Sequence, residues 1–238
     1  MKRFRYRIKQ TIVTVLLEEE KYFEIAVKAI QEARKEIEST IKREAFFLSS
    51  LEPFYFHMGE ITRRMCEASV IAKVGPMASV AGVIAQHSVE KMIEKGAEFA
   101  VVDNGGDIAI LTDRELVIGV YTGDNIKIGF KIKPSKEIKA ICTSSGKIGH
   151  SISFGFADAA TVFGYDACIA DAFATALGNE IKENCRKEEF AEVLEKFWKN
   201  AEKYNDGIFA VKDGMIGFAG KIPEIVKAEI NPDLITKG

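Results

Sequence analysis

The sequence predicts an α+β fold: an antiparallel sheet with helices packed against it. Three observations lead there. Apolar residues alternate with a period of two near the N-terminus and again in short segments between Glu98 and Cys142. Between and after those segments the apolar spacing becomes helical. Asn-Gly and Asp-Gly dipeptides separate short β-like runs, and these favour two-residue turns that reverse a strand onto its neighbour. The 238 residues are 47% hydrophobic and 29% charged, which suits a water-soluble protein with a sizeable core, read here as one domain over 1–238.

Phe4, Tyr6 and Ile8 alternate with Arg5, Arg7 and Lys9, as in a half-buried strand, and Ile12 to Leu17 fits a more central one. From Lys21, the residues Phe23, Ala26, Val27, Ile30, Ala33 and Ile37 mark a helix into the low forties. The aromatic stretch Phe46, Phe47, Phe54, Tyr55, Phe56 is expected to pack into the core under a loop, with a wall for a planar ligand as the alternative. Glu60 to Ala72 is helical. Gly75-Pro76 interrupts it, and proline suits the first turn of a new helix running to about Gly96.

Glu98 to Val102, Ile108 to Leu111, Leu116 to Tyr121, Ile126 to Ile132 and Ile138 to Cys142 form a meander of antiparallel strands. Ala167 to Leu177 is a helix stopped by Gly178-Asn179. Glu188 to Tyr204 is another, with Phe190, Val193, Leu194 and Phe197 on one side. Gly207 to Val211 and Met215 to Phe218 form a hairpin about Asp213-Gly214.

The net charge of −2 lacks the overall footprint of a nucleic-acid binder. Cys66, Cys142, Cys168 and Cys185 make no Cys-x-x-Cys pair, so zinc-ribbon and thioredoxin-like chemistry is not indicated. The polar N-terminus does not read as a signal peptide, and Ile12 to Leu17 is too short to span a bilayer. A cytoplasmic protein that does not engage membranes is expected.

Asp171 and Thr175 lie one helical turn apart and project from one face. A carboxylate and a hydroxyl are hard oxygen donors that suit Mg²⁺ or Ca²⁺. Spacing alone favours a buried aspartate capping a neighbouring loop, with Thr175 bonded to the carbonyl one turn back, because Asp-x-x-x-Thr is a common pattern. Asn104-Gly105-Gly106, flanked by Asp103 and Asp107, reads as an anion nest or as a plain hairpin turn. Thr143 to His150 is a hydroxyl- and glycine-rich loop without Walker A spacing. His150, after Gly149, can serve as an acid or a base.

Taken in order, Gly75-Pro76-Met77-Ala78, Gly105-Gly106-Asp107, Ser145-Gly146 with His150, and Ala170-Asp171 with Thr175-Ala176 resemble the ApbE-like proteins over roughly residues 74–180. Characterised members of that group are Mg²⁺-dependent enzymes that split FAD and attach FMN to a Thr or Ser of a target protein. The resemblance implies two β-helix-helix-β halves, a flavin nucleotide substrate and a protein acceptor. It implies Asp171, Thr175 and the Ala78 carbonyl as Mg²⁺ ligands. Gly75, Asn104, Gly105, Gly106, Asp107, Ser145 and Gly146 would belong to the FAD pocket, and His150 would be the catalytic histidine. The chain departs from the group after His150, where Ser151 to Asp158 lacks the Asp-Pro and Thr-Gly of the transferases. Val74 also stands where they carry a lysine, with Lys73 one position earlier. These departures set a second expectation beside the first: a binding or assembly module that keeps the scaffold without the chemistry.

Overall fold

The computed structural model describes residues 1–122, 127–146 and 155–228. His150 and most of the loop around it therefore lie outside the described residues. Strands β1 (Lys2–Ile8) and β2 (Thr11–Leu17) open the chain. Helices α1 (Lys21–Arg43), a short α2 (Phe46–Ser49) and α3 (Glu60–Ala72) follow. Lys73 ends α3 in the left-handed conformation at φ 58°, and the Val74 amide bonds back to the Ser69 carbonyl. The chain then makes a 3₁₀ turn at Pro76–Ser79, with proline in its first position, and enters α4 (Val80–Glu94).

Strands β3 (Ala100–Asn104) and β4 (Asp107–Thr112) form a hairpin about Gly105-Gly106, both glycines at positive φ. Strands β5 (Leu116–Tyr121), β6 (Lys127–Ile132) and β7 (Ser135–Ser144) come next. Then follow β8 (Ala159–Gly164), α5 (Ala167–Glu180), α6 (Lys187–Ala201), β9 (Gly207–Lys212), β10 (Met215–Gly220) and β11 (Glu224–Lys227).

Eight strands form one antiparallel sheet in the order β1-β2-β3-β4-β7-β8-β9-β10. Two halves stand side by side in it. Each is a pair of strands, a helical crossing and a second pair: β1-β2, α1 to α4, β3-β4, and then β7-β8, α5-α6, β9-β10. The mixed helix and antiparallel-sheet class is as predicted. The expected continuous meander is not. Strands β5 and β6 leave the large sheet and join β11 in a separate three-stranded sheet, so β4 pairs directly with β7.

Alternation along the central strands explains the layering. Ala100, Val102, Ala109, Cys142, Ala160, Val162, Ile208 and Ala210 face the helices. Val101, Ile108, Ile110, Ile141, Phe163, Phe209 and Val211 face the three-stranded sheet. Both faces of the inner strands are thereby buried, and small residues dominate the helix side, which lets the helices approach closely. Strand β8 went unpredicted because Ala-Ala-Thr-Val-Phe-Gly, buried on both sides, shows no polar alternation. The aromatic stretch also departs from expectation. Phe47 is fully buried, but Phe46 and Tyr55 are more than half exposed. No single described helix is long and apolar enough to cross a membrane.

Candidate functional site

Of the described residues singled out from sequence, Asn104, Asp107 and those on α4 and α5 lie toward one end of the large sheet, on its helix-covered face. Parity places them there. Asn104 follows Val102 by two, Asp107 precedes Ala109 by two, and Ser144 follows Cys142 by two, so all three share the helix-facing side. Above them α4 begins and α5 crosses it. The crossing is tight because Gly82 has no side chain. A Cβ there would sit 2.1 Å from the Ala167 carbonyl oxygen and 2.7 Å from the Asp171 Cβ.

Asp171 is buried beneath that crossing. Its Oδ2 accepts from the Gly82 amide at 2.8 Å, and the neighbouring Ala81 backbone also favours the carboxylate. It thus caps the exposed N–H groups at the start of α4 from another helix. The capping alternative raised from the sequence is therefore present in the structure. Thr175 Oγ1 lies 3.5 Å from the Ala78 carbonyl oxygen, at the outer limit of a hydrogen bond. Thr175 therefore turns to the carbonyl on the 3₁₀ turn, and one turn of α5 presents both Asp171 and Thr175 to the start of α4.

Asp107 stands on the floor of the same region. Its Oδ1 is buried without a hydrogen-bond partner, and the neighbouring Cys142 thiol donates to the Ala167 carbonyl at 3.4 Å. The Ser144 Oγ is likewise buried and unpartnered. Burial raises the Asp107 pKa well above the carboxylate range, and the nearby Asp171 and Asp103 charges push it further. Burial raises Asp171 to about 7, against the opposing bonds from Gly82 and Ala81. These are two electrostatically coupled carboxyl groups, both buried. Such a pair is stable when it holds a proton or a cation between its members.

The donor set supports a hard cation. Thr175, one turn from Asp171 on α5, faces the Ala78 carbonyl, and Ser144 shares the side of the sheet that carries Asp107; all offer oxygen donors. Two oxygens sharing an octahedral Mg²⁺ at about 2.1 Å lie about 3 Å apart, so a 3.5 Å separation needs little adjustment. No group of three or more His, Cys, Asp or Glu placed to hold a metal ion is found among the described residues, so any cation here would rest on the two carboxyls with hydroxyl and carbonyl oxygens.

The other predicted residues have clear local roles. Asn104 Nδ2 donates to the Ala81 carbonyl at 3.1 Å and ties the hairpin to α4. The Gly106 amide donates to Asp103 Oδ1 at 2.9 Å, so the turn spends one of the N–H groups a nest would offer. A Cβ at Gly75 would meet the Ser50 carbonyl at 1.8 Å, so this glycine lets the aromatic loop lie against the 3₁₀ turn. The Gly146 amide donates to Ala157 at 3.0 Å, and a Cβ at Gly146 would strike the Gly155 carbonyl.

Sequence reasoning missed the clamp behind the site. Arg64 binds Glu90 and Asp166, each at 2.9 Å. Asp166 caps α5 by accepting from the Cys168 and Ile169 amides. Gln86 accepts from the Ala167 amide at 3.0 Å and donates to Glu90 at 3.0 Å. Helices α3, α4 and α5 are locked together one to two turns from Asp171. The Asp-Ala-Cys start of α5 was a legible cap signal; its ionic partners, distant in sequence, were not.

With this geometry in view, comparison with known proteins decides the family. A family model described as AbpE bacteria matches residues 1–195. The chain belongs to this AbpE family. A UPF0280 protein of Archaeoglobus fulgidus is 52% identical over 238 residues, covering 100% of both chains. A UPF0280 protein of Methanosphaerula palustris is 42% identical over 242 residues, covering 100% of this chain and 99% of the relative. Among solved structures, the ApbE protein of Thermotoga maritima is similar with a TM-score of 0.54 at 13% identity, covering 100% of both chains. The Pseudomonas stutzeri flavinyl transferase ApbE gives 0.56 at 11% identity, covering 100% of this chain and 97% of that one. The Vibrio cholerae flavin transferase ApbE gives 0.54 at 11% identity, covering 92% and 96%. These likenesses establish that this AbpE family protein has an ApbE-like fold.

Proposed function

We propose that the protein binds FAD or a related nucleotide together with Mg²⁺, and that it transfers FMN to a protein acceptor or cleaves the FAD pyrophosphate. The observation that carries this reading is the two buried carboxyl groups Asp107 and Asp171, with Asp107 Oδ1 left unpartnered, and with Thr175 one turn from Asp171 facing the Ala78 carbonyl. Asp171, Thr175 and the Ala78 carbonyl are the ligands in this reading, and Asp107 adds the second negative charge. When bound, Mg²⁺ supplies charge neutralisation at a pyrophosphate.

The chain's own groups do the rest. The start of α4 directs its N–H groups at Asp171 and keeps that carboxylate oriented. The paired glycines of the β3–β4 turn leave space for a phosphate-bearing ligand to approach the sheet end, and no atom lies within 4 Å of a Cβ built at Gly105. Ser145 and Gly146 would meet its phosphates, and His150 would supply or remove a proton at the reacting oxygen. A second reading, a binding or assembly module without turnover, is favoured by the residues after His150, where Ser151 to Asp158 departs from the transferase pattern.

Calorimetric titration with FAD, FMN and ATP, with and without Mg²⁺, tests binding. Micromolar, Mg²⁺-dependent FAD affinity is expected, and Asp171→Ala should abolish it while leaving the circular dichroism spectrum intact. Absence of binding of FAD, FMN and ATP in the wild type would overturn the proposal, and binding of ATP alone would remove its flavin part. Given binding, His150→Ala separates the two readings. It should spare affinity and remove FMN transfer or FAD cleavage; a wild type that binds without turnover establishes the module instead.

A further inference from the structure

The two edges of the large sheet differ in a way that calls for a partner. Edge strand β1 carries exposed Arg3, Arg5 and Arg7, charges that discourage edge-to-edge pairing. Edge strand β10 exposes Ile216 (49%) and Phe218 (59%) instead. Beside it α6 forms a groove of about 590 Å³, with Lys187, Ala191 and Glu195 on the helix side.

We infer that β10 and α6 form a two-fold interface with a second copy of this chain. Strand register supports it. Met215 pairs with Lys212 across the two-residue turn, so Met215, Gly217 and Ala219 point their backbone groups toward β9. Ile216 and Phe218 point theirs outward. An antiparallel copy centred on Gly217 sets Ile216 against Phe218 of the second copy, and Phe218 against its Ile216. Each of these pairs exchanges N–H and C=O bonds and covers apolar side chains.

The helix obeys the same axis. A Cβ at Gly217 would touch Leu194 and Phe190, and one at Gly220 would touch Trp198, so α6 runs parallel to β10. Lys187, Ala191 and Glu195 are four residues apart and form one row along α6. A Cβ at Gly217 would meet both Phe190 and Leu194, so the turn that holds the midpoint Ala191 lies about level with Gly217. Reversing a second copy about that midpoint brings Lys187 to Glu195 of the other chain twice, with alanine against alanine between them. Neither Lys187 nor Glu195 has an ion-pair partner among the described residues. The row is therefore complementary to itself in charge and small at its centre, which a foreign partner would not require.

Sedimentation velocity over a concentration series tests this with the full chain, and it reads mass independently of any flavin binding. A reversible dimer is expected. Lys187→Glu and Glu195→Lys should each weaken it at least 10-fold, because each turns two opposite-charge contacts into repulsions. Mixing the two single variants, or combining both changes in one chain, should restore association. Phe218→Asp should abolish it without changing the monomer's circular dichroism spectrum. A wild type that stays monomeric, and so leaves the groove to an intrachain segment or a foreign peptide, overturns the inference. So does a dimer indifferent to both charge reversals.

Discussion

At the scale of single residues, burial sets Asp107 and Asp171 against their ordinary ionised state. Each is a carboxyl whose proton is held more tightly folded than unfolded: Asp171 rises from 3.8 to about 7, and Asp107 rises well above 3.8. Between about pH 4 and pH 7 the native state therefore binds protons that the unfolded chain has released. Stability in the absence of divalent ions should fall as pH rises through that window, then level off above the folded pKa. A shift of about three units bounds the Asp171 share at about 4 kcal/mol, or roughly 10 °C in melting temperature. Thermal melts in EDTA at pH 5 and pH 8 should show the loss, Mg²⁺ should recover it at pH 8, and Asp171→Asn should flatten the dependence. Parallel wild-type and variant curves would refute the assignment. The Asp171–Thr175 spacing was legible because one helical turn sets it. The part played by Asp107 was less so, since a residue beside a Gly-Gly turn can face either side of a sheet. The clue was its parity with Ala109 and Leu111.

At the scale of elements, the site is the product of one helix crossing. Gly82 allows α4 to touch α5 at Ala167 and Asp171, and the Arg64–Glu90–Asp166–Gln86 clamp fixes the angle. Gly82→Ala favours the helix intrinsically but drives a methyl into a carbonyl oxygen. It should lower stability by about 1–3 kcal/mol and weaken Mg²⁺ affinity by separating Asp171 from the start of α4. Arg64→Met leaves partly solvated acids behind, and a loss of about 2 kcal/mol is expected, with a smaller effect on the cation because the clamp lies behind the site. Denaturant unfolding and calorimetry on the two variants would separate these effects; equal effects on Mg²⁺ affinity would show that the clamp, not Gly82, sets the site. The helices themselves could be read from periodicity. Their crossing could not, because Gly82 sits in a run of small residues where several approaches look alike in sequence.

At the scale of the whole molecule, the large sheet separates two tasks. The helix side carries every described candidate ligand, while the other face is an apolar layer closed by β5, β6 and β11. Strands β5 and β6 of that second layer were expected, but β11 in the polar tail and the separate sheet were not, since a period of two states which side is buried and not against what. Phe130 is its keystone: fully buried, with ring centroids 4.7 Å from Phe163 and 5.1 Å from Phe209, both edge-to-face. Phe130→Ala should cost about 3–5 kcal/mol by transfer and cavity terms. If the two faces are mechanically separate, the folded variant at low temperature should bind Mg²⁺ and nucleotide with wild-type affinity, though its melting temperature falls by about 10 °C. Asp107 tests that separation most severely, because it lies on β4 next to Ile108, which packs into the Phe130 layer. A cavity that let β4 shift would move the Asp107 carboxyl and weaken cation binding in step with stability. Unchanged affinity beside a large stability loss would establish the sheet as a rigid partition, with the ligand chemistry confined to one side.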